Sequence, residues 1–95
     1  MADTVLGEMA DDLLGDRVVV DTRSRYLYLG TLDDVGRDCI VLTDADVHDT
    51  RQSNTTEEVY IIQAVQHGVR VNREKVYVLS REIVSLSRLD DVVEY

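Results

Sequence analysis

The chain contains no proline, no tryptophan and no phenylalanine, and its one cysteine is Cys39. A lone thiol cannot close an internal disulfide, so cysteine usage gives no sign of an oxidising compartment. Cys39 heads the apolar run Cys39–Leu42 and reads as an inert strand residue. No stretch approaches the roughly 18 apolar residues of a membrane span. The opening Met1-Ala2-Asp3 lacks the basic stretch of a secretory signal. These features predict a soluble, cytoplasmic protein with no membrane partner. Five glycines are too few for a phosphate-cradling loop. There is also no Gly-x-Ser-x-Gly elbow and no cysteine beside a base. Neither an enzyme nor a bound cofactor is expected; a binding or assembly module is.

Positive charge is also scarce. Ten Lys and Arg residues face nineteen Asp and Glu, for a net charge of −9. Nucleic-acid binders usually present a basic face, because neutralising phosphates supplies most of their affinity. The few bases are uneven: Arg70, Arg73, Lys75, Arg81 and Arg88 fall in the last third, while the first 16 residues hold five acids and no base. Most of the acids read as a solvated surface that keeps the protein soluble.

What is present is a pattern of short strands. Ninety-five residues fit one domain, which at this size buries roughly 60–70% of its unfolded surface. Val5, Leu6, Met9, Ala10, Leu13 and Leu14 follow one helical stripe, so residues 3–14 predict an amphipathic helix stopped by Gly15. From Arg17 the period changes, and residues 17–46 predict three strands. The second, Tyr26–Asp33, carries Gly30 in its middle, and a glycine inside a strand marks a bend or bulge. A polar turn at Gly36 leads to the third, Cys39–Asp46. A bent ribbon of this kind is what a small barrel needs in order to close.

Residues 47–75 read as an insertion. Within it, Thr55-Thr56-Glu57-Glu58 looks like a capping box and His67-Gly68 like a stop, which favours a helix over about 56–67 rather than a buried strand. Val76–Leu79 and Ile83–Leu86 then predict two short strands around the corner Ser80-Arg81-Glu82, with 89–95 as an edge strand or a docked tail. The expected fold is mainly β: a five-stranded, strongly bent barrel with an N-terminal helix and an inserted helix.

Several of these residues fall in the order of a known family. Leu13-Leu14-Gly15, Val18 and Val20, Gly30-Thr31-Leu32, and Ile40-Val41-Leu42 with Asp44-Ala45-Asp46 match its first motif in outline. Leu79-Ser80-Arg81-Glu82-Ile83-Val84 occupies the place of its second. The chain thus resembles the Sm-like (LSm) fold family over about residues 13–48 and 75–88. The resemblance implies a ring of identical subunits, closed by pairing the fourth strand of one with the fifth of the next. Val76, Tyr77, Val78 and Leu79 would then meet Ile83, Val84 and Leu86 of a neighbour. It further implies binding of single-stranded RNA around the pore by two loops.

Both loops depart from the family pattern. The first usually carries an aspartate, a stacking aromatic or histidine, and an asparagine. Here Asp34-Val35-Gly36-Arg37-Asp38-Cys39 is one residue shorter, with Arg37 at the stacking position. A guanidinium plane can stack on a base. In the second loop, Ser80 precedes Arg81 and no glycine follows. Arg37 and Arg81, with Asp38 as an orienting partner, are the candidate RNA contacts; pairing of Arg37 with Asp38 and of Arg81 with Glu82 is the ordinary alternative.

Other constellations are weaker. Arg70, Arg73 and Lys75 could touch phosphates, but Glu74 among them suits a solvated connection. Asp44 and Asp46 should share a strand face, yet no later glutamate completes a calcium loop, and no metal is expected. His48 and His67 read as surface residues. Tyr26 and Tyr28 share a face and could stack on bases or pack within the protein. Two functions remain open: an RNA-binding ring, or a scaffold ring whose inserted helix contacts a protein partner.

Overall fold

The structure is a computed structural model that describes Gly7, residues 10–52 and residues 54–94. The element order is β1 (Arg17–Thr22), β2 (Tyr26–Val35), β3 (Cys39–Asp49), α1 (Glu57–His67), β4 (Arg73–Leu79) and β5 (Ile83–Arg88). All five strands form one antiparallel sheet in the order β4-β3-β2-β1-β5. β4 and β5 are its two edges and do not pair with each other, so hydrogen bonds do not close the barrel.

Most of the helix expected over 3–14 lies outside the described residues. Within them, Gly7 and Ala10 are helical, while Asp11–Leu13 is a single 3₁₀ turn rather than α-helix. Gly15 follows at φ +87°, a conformation that suits glycine. It is held where its amide donates to the Leu32 carbonyl at 2.8 Å.

The bend lies where the sequence places it, though the extra residue is not where Gly30 alone suggests. Leu29 pairs with Asp46 and Thr31 with Thr43, so Gly30 of β2 faces both Asp44 and Ala45 of β3. Asp44 adopts φ +48°, which aspartate tolerates better than most residues. β3 therefore carries the bulge, and Gly30 makes room for it. A Cβ on Gly30 would sit 3.1 Å from the Ala45 Cα and 3.2 Å from the Thr43 carbonyl oxygen. The bulge also breaks the alternation that should set Asp44 and Asp46 on one face: Asp44 is exposed and Asp46 buried.

Hydrophobic side chains cluster on both faces of the curved sheet. Val18, Val20, Leu32, Ile40, Leu42 and Val78 fill the concave side with Ala10. Val19, Leu27 and Leu29 point the other way and are covered by Ala64 of α1 and by Leu89. This is why Val18-Val19-Val20 is buried as a continuous run: strands covered on both faces lose the in–out alternation. Leu89 opens a 3₁₀ turn, Leu89–Asp91, and is fully buried, so the tail is docked and not an edge strand. Helix α1 is capped where Thr56 Oγ1 accepts from the Val59 amide at 3.3 Å, and it ends at Gly68, φ +91°.

Candidate nucleic-acid interface

Three turns are tied together by backbone hydrogen bonds. The β2–β3 turn is closed by the Gly36 amide donating to the Cys39 carbonyl at 2.8 Å. The β4–β5 corner is the 3₁₀ turn Ser80–Glu82. The Ser80 amide donates to the Asp38 carbonyl at 2.8 Å, which locks these two turns to each other. At the far side of the corner, the Arg23 amide donates to the Glu82 carbonyl at 2.9 Å and brings in the β1–β2 turn.

Arg37, Asp38 and Arg81 are all exposed on this platform. Among the described residues, neither Arg37 nor Arg81 makes an ion pair or a side-chain hydrogen bond. The alternative pairings with Asp38 and Glu82 do not form among the described residues. What Asp38 contributes is its backbone carbonyl. Ser80 Oγ is buried beneath the corner without a partner among the described residues, an arrangement that costs about 1–3 kcal/mol unless water or a ligand satisfies it. Exposed Arg23 was not singled out in the sequence; its proximity comes only from the Glu82 contact. Asp33, Asp34, Asp38 and Glu82 are exposed near the same turns, so the platform is mixed in charge.

The seven edge residues separate by orientation. Tyr77 and Val84 are each 63% exposed and Leu79 is 44% exposed, while Val76, Ile83 and Leu86 are half-buried. Val78 points into the concave core, so only its backbone lies on the β4 edge. Exposed apolar side chains on unpaired edge strands are the kind of surface that proteins otherwise blunt or cover.

A second polar concavity lies between α1, the end of β3 and the segment 68–72. It encloses about 740 Å³. His48 is half-buried rather than a free surface residue: its ring stacks on Tyr60 at 3.7 Å between centroids and 14° between planes, and its Nε2 is buried without a partner among the described residues. Asp46 is only 4% exposed, and burial pushes its carboxyl above the usual carboxylate range. Asn72 holds it, donating from Nδ2 to Asp46 Oδ1 at 2.9 Å while its own Oδ1 accepts from the Val47 amide at 3.0 Å. Nearby, Arg25 donates through Nε to Asp49 at 3.0 Å and holds that carboxyl below its ordinary range. Tyr28 packs against the concave core, while Tyr26 lies under the Arg25 guanidinium at 5.5 Å, so the two tyrosines form no shared stacking surface. Arg73 and Lys75 are exposed on β4, and Arg70 lines the concavity.

A curved antiparallel sheet ordered β4-β3-β2-β1-β5, with its two short last strands around a 3₁₀ corner, is the Sm-like fold. Solved structures place it there. The Pyrococcus abyssii Sm protein in complex with a uridine heptamer matches with a TM-score of 0.58 at 17% identity, covering 90% of this chain and 99% of that one. A heptameric archaeal Sm protein matches with a TM-score of 0.57 at 18% identity, covering 86% and 97%. No family model and no curated protein matches the sequence. The likeness at these identities is one of fold.

Proposed function

We propose that this chain assembles into a ring of identical subunits and binds single-stranded RNA at the platform of turns. The observation that carries the reading is the Ser80–Asp38 backbone bond, which fixes two turns together while Arg37 and Arg81 stay exposed and, among the described residues, unpaired. Guanidinium planes held at fixed backbone positions can stack on splayed bases and donate to phosphates. One structural neighbour is a complex with a uridine heptamer and another is heptameric, which supports both halves of the proposal. Ring closure would use the β4 edge of one subunit and the β5 edge of the next, burying Tyr77, Leu79 and Val84 and removing both open edges.

With about two arginines engaged per subunit and acids around them, the contribution of each subunit should be modest. Neutralising about two phosphates per engaged subunit contributes about −1.4 to the slope of log K against log salt, so the slope should steepen with the number of subunits a strand spans. Native mass spectrometry with and without nuclease, followed by titration with oligouridine and oligoadenine, tests the proposal. A ring that retains no RNA of any sequence would refute the RNA half, and a monomer at micromolar concentration would refute the ring.

The scaffold reading keeps one specific support. Val59 on α1 is 46% exposed and Val93 on the tail is 69% exposed, on the side of the sheet away from the concave core. Charged substitutions at both should abolish a partner complex and leave the ring whole if that reading holds.

A further inference from the structure

We infer that the polar cavity between α1 and the end of β3 is a guanine-nucleotide site within each subunit, separate from the platform of turns. Its volume of about 740 Å³ suits a nucleotide, since small-molecule sites span about 300–1,000 Å³. The cavity is polar, and its central group is a fixed carboxylate. Asp46 is 4% exposed, and Asn72 orients its Oδ1; among the described residues no donor reaches Oδ2. Asn72 is itself anchored, through its side chain to Val47 and through its amide to the Ala45 carbonyl at 2.8 Å. An acceptor held this firmly, with lone pairs to spare, is preorganised for a ligand that brings donors.

The base follows from that acceptor. Guanine presents two adjacent donors, N1–H and the N2 amino group, which a carboxylate accepts as a pair. Adenine and cytosine offer an amino donor beside a ring-nitrogen acceptor. Uracil offers one N–H between two carbonyls, whose oxygens a carboxylate repels. The stacked Tyr60 and His48 rings supply an aromatic wall against which a base can pack. At the rim, Arg70 and His67 are exposed; Arg70 attracts the Asp46 carboxylate electrostatically but makes no ion pair with it among the described residues, so its guanidinium can still donate to a phosphate. The other acid lining the cavity, Asp49, is already neutralised by Arg25.

Calorimetric titration of the full chain with GMP, AMP, CMP and UMP tests this. GMP should bind at least tenfold more tightly than the other three. Asp46→Asn should lower GMP affinity by tenfold or more, because an amide brings a donor toward the donors of guanine. Arg70→Ala should weaken GMP several-fold and leave guanosine unaffected, and this variant keeps the test open if Asp46→Asn does not fold. The double variant Arg37→Ala/Arg81→Ala should bind GMP like the natural chain, so failure of the RNA platform would not be mistaken for failure here. A short RNA ending in guanosine phosphate that displaces GMP would identify a strand end as the source, and one that does not would identify the free nucleotide. Equal affinity for all four nucleotides, no binding at millimolar GMP, or an unchanged affinity in Asp46→Asn would overturn the inference.

Discussion

Arg25 and Arg88 are each committed to carboxylates, whereas Arg37 and Arg81 hold none among the described residues. The committed pair ties chain segments together. Arg25 joins the start of β2 to the end of β3 through Asp49, and Arg88 joins β5 to Asp16 and to Asp91. Arg37 and Arg81 instead project from turns whose shape is already set by backbone bonds. The same residue type thus serves two purposes, and its partners tell them apart. A cation with no structural duty, on a turn that needs none from it, is available to a ligand.

That contrast can be broken in several ways. The largest effect belongs to the strand edges. Tyr77→Asp combined with Val84→Asp should convert the proposed ring to monomers, read as subunit mass, because paired edges cannot bury carboxylates. If stoichiometry is unchanged, the edges do not carry assembly. Next is the bend. Gly30→Val forces a side chain against the β3 backbone and should cost about 2–3 kcal/mol in chemical denaturation; a variant as stable as the natural chain would mean the ribbon closes without that close approach.

The arginines themselves come third. Arg37→Ala with Arg81→Ala should weaken RNA binding by roughly 30-fold or more, given about 1–3 kcal/mol for each of two stacked bases. Stability should stay within about 0.5 kcal/mol. Arg25→Ala should do the reverse, lowering the thermal midpoint and sparing RNA affinity. If both variants act alike, the division between them is wrong.

The smallest effects are in pH. Asp49 titrates below its usual range because of Arg25. The stability it lends is present above the ordinary aspartate value of about 3.9 and is lost as pH falls through its lower folded value. Arg25→Ala and the natural chain should therefore differ at neutral pH and converge in acid. Asp46 has the opposite sign: burial raises its folded value, so its charge costs stability above that value. Asp46→Asn should raise the thermal midpoint at neutral pH, and the gain should vanish below about pH 3.9, where the natural carboxyl is protonated in both states.

The strands were legible because β-branched and alternating residues sit between polar turns. So was the place of the bend, since a glycine inside such a pattern has few other uses. The bulge on β3 was not, because an aspartate at positive φ looks like any other polar residue until Gly30 is laid against it. Strand lengths were underestimated for a related reason. Val47 and His48 extend β3 by pairing with Tyr28 and Leu27, and Arg73–Lys75 extend β4 as an exposed edge, where no buried face imposes a pattern. The turn residues could be chosen from composition, but the Ser80–Asp38 bond joins two distant stretches of chain. The cavity was hidden most completely, since Asp46, Tyr60 and Asn72 come from a strand, a helix and a connection. The stacking of His48 on Tyr60 belongs to the same long-range arrangement.

Helix α1 leaves the sheet after Asp49 and returns before Arg73, at the end of the β2–β3 ladder remote from the Gly36 turn. The pairing of Cys39 with Leu79 and the corner at Ser80 lie at the opposite end of the sheet from this segment, whose Ala64 covers Val19, Leu27 and Leu29. Recognition built on that segment would sit a sheet's length away from the corner where the proposed subunit edges meet.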